Sequence, residues 1–152
     1  MSSAWLIRRF IDPNARFAFA ADRDHLPEVD AIPFDMFGVE FSHQGDGCTF
    51  ETLCSVFGIT DPAVARLAAI VHELDLKDGR FGAADAPTVG HIIDGLQLAH
   101  ESDDELLERG VSLFDALHRA YAQALGGARP RPATSGKARA KPRRRAPSEG
   151  KA

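Results

Sequence analysis

Cysteine is scarce in this chain, and the two present, Cys48 and Cys54, exclude a disulfide framework. No apolar run is long enough to cross a membrane as a helix. There is no dinucleotide-binding glycine fingerprint, no P-loop and no paired CxxC motif, which removes the commonest phosphate and zinc signatures. The opening residues, MSSAWLIRRF, place two arginines after a very short apolar patch. A secretory signal has the opposite order and a longer apolar core, so a cytoplasmic protein is expected.

Positive charge is also scarce until the end of the chain. Residues 1–126 hold nine Lys/Arg against 21 acids, a net charge of −12. Residues 127–152 hold nine Lys/Arg and one acid, Glu149, with no aromatic residue, no Leu, Ile or Val, and repeated proline. Such a segment cannot bury enough apolar surface to offset its ordering entropy, so a disordered basic tail is expected at 127–152. Its KPRRR run at 141–145 could hold nucleic-acid phosphates weakly and without sequence preference. A solubilising tail, or one folded back on the acidic body, accounts for the same charges. What precedes it, residues 1–126 of the 152, is long enough for one globular domain with an ordinary core.

The apolar pattern predicts strands early and helices late. Ser2 or Ser3 can cap a short helix carrying Trp5, Leu6, Ile7 and Phe10, closed by the Asp12-Pro13-Asn14 turn. The alternation at 16–20 (RFAFA) and at 32–36, with Pro33 favouring a sheet edge, reads as two short strands. Val39 to Phe41 can extend the second after a bend at Gly38. Helices follow: one with Phe50, Leu53, Cys54 and Phe57 on a face, and one opened by Asp61-Pro62 and running to about Leu76. Another begins at Pro87, and the longest begins at the capping-box pattern Ser102 to Glu105. The expected fold class is α+β, with a small sheet of two to three strands packed against a mainly helical C-terminal half.

Two stretches concentrate the versatile side chains: residues 38–51 (GVEFSHQGDGCTFE) and 71–81 (VHELDLKDGRF). Glu40, His43, Cys48, Glu51, His72, Asp75 and Asp78 form a donor set that can hold a divalent metal ion, of a type the sequence leaves open. Their spacing is not that of a recognised zinc motif. His72 and Asp75 are three apart and so project from neighbouring positions of one helix. Asp78 falls just past the expected helix end, where an acid opposes the dipole and so hints at a purpose. Cys48 precedes an expected helix N-terminus, which favours a thiolate, while Asp46 and Glu51 oppose it. Glu51 also has an ordinary explanation, as an acid in a first helical turn. Arg8 and Arg9, near the end of the first helix, could grip a tetrahedral oxyanion or merely answer the dipole.

The runs SAWLIRRFIDPNARFAF, IPFDMFGVEFSHQGDGCTFETL and IVHELDLKDGRF occur in that order. Together they resemble the C-terminal domain of ChrB-type chromate-resistance proteins, over roughly residues 3–121. The resemblance implies a role in bacterial chromate resistance, where such proteins are described as chromate-responsive regulators of an efflux operon. ChrB-type proteins usually carry a further N-terminal domain, and the basic tail lies outside the family pattern. The leading expectation is a sensing or accessory domain that binds a metal ion or the chromate oxyanion. The alternatives are a metal- or thiol-dependent redox enzyme in chromate detoxification, and a nucleic-acid-associated regulator acting through its tail. Chromate is a dianion facing a body of charge −12, so the electrostatics favour a metal at the acidic cluster.

Overall fold

The structure, a computed structural model, describes residues 1–20, 24 and 30–126. The basic tail expected at 127–152 lies outside the described residues. Five α-helices are described: α1 (Ser2–Leu6), α2 (Thr49–Val56), α3 (Pro62–Asp75), α4 (Ala86–Ala99) and α5 (Asp103–Ala124). A π-helical turn, Ile7–Ile11, continues α1 and ends where Asp12 turns extended. Neither Ser2 nor Ser3 caps α1, because Met1 stands at the cap position and Ser3 is buried.

The α+β expectation is corrected to an all-helical body among the described residues. Among the described residues before α2 there are two isolated bridges, Phe34–Phe41 and Gln44–Gly47, and no strand. The cause is local. Pro33 has no N–H to give a ladder. Asp35 is left-handed, at φ 58°, which breaks the two-residue alternation a strand requires. The alternating apolar residues also fail to share a buried face, since Ile32 is 72% exposed and Phe37 fully so. The segment instead lies against the helices as an irregular arm. It is held by the Asp35 N–H donating to the Phe41 carbonyl at 2.8 Å and by Phe17 meeting Phe34 edge-on.

The helices follow the sequence signals more closely. Asp61 caps α3 by accepting from the N–H groups of Ala63 and Val64 at 2.8 and 2.9 Å, with Pro62 at the first helical position. Ser102 accepts from the Glu105 N–H at 3.5 Å to open α5. α5 packs against α1, α3 and α4, while α2 lies between α1 and α3. At the centre, Trp5 stacks on Phe50 with ring centroids 6.3 Å apart and touches Phe114. Trp5 Nε1–H donates to Asp115 Oδ1 at 2.8 Å, so its one polar atom is satisfied in the core.

Packing is what orients α3. Val64, Leu67, Ile70 and Val71 are all buried. Full burial of each stabilises by about 1.5–3 kcal/mol, against differences of a few tenths in helix propensity. The rotation that buries this face carries His72 inward with it, to zero exposure. The α3 face meets α2 across the start of that helix, and the two chemically rich stretches come together there.

Candidate metal centre

Cys48 is the N-cap residue of α2, and Glu51 is its third helical residue. The Cys48 thiol faces the Glu51 backbone N–H, and the Cys48 N–H donates to Glu51 Oε2 at 2.9 Å. This reciprocal arrangement is a capping box with sulfur in place of the usual hydroxyl. It fixes the Glu51 carboxylate beside the Cys48 thiol. From α3, His72 presents Nδ1 to the same oxygen, 2.7 Å away. One ligand atom from each of Cys48, Glu51 and His72 lies within 4.8 Å of the others.

The far side of the imidazole is occupied as well. His72 Nε2 lies 3.1 and 3.2 Å from the two oxygens of Asp78. The chain returns there because Lys77 and Gly79 adopt left-handed conformations just past α3, at φ 54° and 72°. Asp78 also accepts from the Arg80 N–H at 3.0 Å. Phe81 then packs edge-on against the imidazole, 4.7 Å between centroids. Glu73 pins this return by accepting from the N–H groups of Phe81 and Gly82 at 2.6 and 3.0 Å. The acid that opposes the helix dipole at position 78 therefore has a partner in His72.

The protonation states follow from these contacts. Burial works against an imidazolium at His72, but the bonds to Glu51 and Asp78 outweigh it, and its pKa is raised above 6.5. With the ring protonated, both nitrogens donate to carboxylates. Burial likewise pushes the Glu51 carboxyl up, yet His72 and the Cys48 N–H prevail and hold it below its ordinary range. Asp78 is lowered by the Arg80 N–H first and His72 second. The Cys48 thiol is pushed up to about 12, chiefly by burial and then by the nearby Glu51 and Asp75 charges, despite the favourable Glu51 N–H. Cys48 is accordingly a neutral thiol near neutral pH in this arrangement.

The remaining expected donors are elsewhere. His43 Nδ1 meets Thr49 Oγ1 at 3.1 Å, and Thr49 in turn donates to Asp35 Oδ1 at 2.8 Å. His43, Asp35 and Asp75 line a separate open cavity of about 470 Å³ between α3 and α4. Partial desolvation in the cavity, and then the Asp35 charge, push the Asp75 carboxyl up, although the residue still reaches solvent. Glu40 is exposed, and what it contributes locally is its backbone carbonyl, which accepts from the Gln44 side chain. Arg8 is paired with Glu108 at 2.8 Å, and Arg9 grips Asp115 through two bonds of 2.8 and 2.6 Å. Sequence reasoning left Asp35, Thr49 and Phe81 out of the site, and it counted Glu73 among the versatile residues of 71–81 without giving it a role.

The family model for the ChrB C-terminal domain matches residues 1–121. The chain belongs to the ChrB C-terminal domain family. Protein ChrB of Cupriavidus metallidurans is 38% identical to it over 119 residues, covering 78% of this chain and 36% of that relative. The chain thus spans about a third of the relative's length. No solved structure matches it. Cys48, Glu51, His72 and Asp78 all fall within the matched region.

Proposed function

We propose that this chain serves chromate resistance as a sensing or accessory domain, and that it binds a divalent metal ion through Cys48, Glu51 and His72. The observation that carries the reading is the convergence of a sulfur, an oxygen and a nitrogen donor, from two helices, within 4.8 Å. A mixed set of this kind suits a borderline cation such as Zn2+, for which three protein ligands leave a further position open. The surrounding body is strongly acidic, which favours a cation over a dianion. Binding requires Cys48 and the Nδ1 position of His72 to give up their protons, so uptake should release protons and weaken as pH falls.

An oxyanion held by Arg8 and Arg9 draws less support, because both guanidinium groups already face carboxylates on α5. A thiol enzyme is the second reading. The elevated Cys48 pKa disfavours it in metal-free protein, since the thiolate is the nucleophile.

Elemental analysis of protein purified without added metal, followed by titration with Zn2+, tests the proposal. One equivalent should bind, and Cys48→Ser, Glu51→Gln and His72→Gln should each weaken it. Binding that survives all three substitutions together would place the ion elsewhere, and no binding by the unaltered chain would end the metal reading.

A further inference from the structure

We infer that Asp78 is a positioning residue for the metal, acting on it through His72 rather than touching it. The inference rests on the metal-binding reading above and assigns the two imidazole nitrogens different tasks. Nδ1 is the nitrogen on the donor side, 2.7 Å from the Glu51 oxygen that also receives the Cys48 N–H. Nε2 points the other way across the ring, toward Asp78 at 3.1 and 3.2 Å. An ion at Nδ1, shared with Cys48 and Glu51, leaves Asp78 behind the ring. Asp78 there accepts the Nε2–H, which keeps the proton off Nδ1 and turns the Nδ1 lone pair toward the ion. A metal-bound histidine whose other nitrogen donates to a carboxylate has a fixed tautomer, a fixed ring plane and a more basic donor atom.

The rest of the return loop has a shape suited to that task. Asp78 accepts from the Arg80 N–H at 3.0 Å, so the carboxylate is itself oriented. Glu73 holds the following two backbone N–H groups, and the Phe81 ring braces the imidazole at 88° to its plane. His72 is completely buried while the Asp78 side chain is 45% exposed. The carboxylate therefore reaches a buried ring from the solvent side, without being buried with it. Removing an outer partner of this kind typically lowers metal affinity by about 10–100-fold.

Co2+ titration followed by visible absorbance tests this, because the ligand-field bands report which atoms touch the ion. Asp78→Ala should weaken Co2+ by about 10–100-fold yet give the unaltered band pattern at saturation, and Asp78→Glu should restore much of the affinity. Asp78→Asn, which keeps an acceptor for the Nε2–H, should fall between and serves if the alanine variant does not fold. His72→Gln should change the bands. Unchanged affinity in both Asp78→Ala and Asp78→Asn would overturn the inference while leaving the metal site standing. Altered bands in a saturated Asp78 variant would overturn it by making Asp78 a ligand. Failure of the unaltered chain to bind Co2+ or Zn2+ would remove the metal reading and this inference with it.

Discussion

His72 Nδ1 lies 2.7 Å from Glu51 Oε2, a contact that joins residues 21 positions apart through an oxygen already engaged by the Cys48 N–H. Glu51 thus caps α2 and balances a buried imidazolium at once. Glu51→Ala should destabilise the metal-free protein by about 1–3 kcal/mol, because it strips a partner from a buried charged ring and an acceptor from the cap. Glu51→Gln keeps the cap acceptor and should cost less. Urea denaturation at neutral pH checks the order, and equal losses would show that the charge on Glu51 contributes nothing.

Asp61 gives the clearest dependence on pH. Burial pushes its carboxyl up, but the Val64 and Ala63 N–H groups and His118 outweigh this, and its pKa is lowered from 3.8. A carboxyl lowered on folding contributes stability that is complete above its unfolded pKa. That stability is lost as pH falls through the folded value. Asparagine caps as well as aspartate, so Asp61→Asn should be less stable than the unaltered chain at pH 6 by no more than about 1 kcal/mol, the share of the charge at a partly exposed site. The two should converge once the pH has fallen through the folded value, which lies below 3.8. A gap that persists undiminished in acid would mean that the charge is not what stabilises the cap.

Cys48 should react slowly with a thiol reagent in metal-free protein at neutral pH, since its pKa is about 12 and it has no exposed surface. Zn2+ should protect it further if its sulfur is a ligand. Rapid labelling without metal would restore the thiol-enzyme reading. The same rate with and without Zn2+ would take Cys48 out of the site.

Trp5 should be the costliest aromatic position to alter. Trp5→Ala is expected to lose about 3–5 kcal/mol by emptying the space against Phe50 and Phe114. Trp5→Phe should lose less, mostly through the missing hydrogen bond to Asp115. Circular dichroism follows the unfolding, as the only tryptophan is the residue being changed. A Trp5→Ala protein as stable as its parent would contradict the core described above.

The helices were legible in the sequence because their boundaries are chemical. Asp61-Pro62 and Ser102 open α3 and α5 as their residue types require. The early strands were misread because alternation is only a local pattern. Pro33 argued against a central ladder, but nothing in Arg16 to Ala20 or Ile32 to Met36 announces that Asp35 will turn left-handed. The two rich stretches were visible from composition, but their division was not. A three-residue spacing put His72 and Asp75 on adjacent helix positions, yet one turns into the α2 junction and the other lines the α4 cavity. Burial also leads the Glu51 and Asp75 charges in setting the Cys48 thiol, because local sequence shows neighbouring charges and hides depth.

The bonds from Trp5 and Arg9 to Asp115 close a loop of more than a hundred residues, since they join positions 110 and 106 apart. The α1 turn consequently lacks the α5 part of its packing surface until α5 has been synthesised. A chain emerging from the ribosome holds Trp5 and Phe50 without the α5 face that covers Trp5, and such long closures slow the final folding step. Truncation inside α5 should therefore expose α1, and protease attack near Trp5 would report damage done at Asp115.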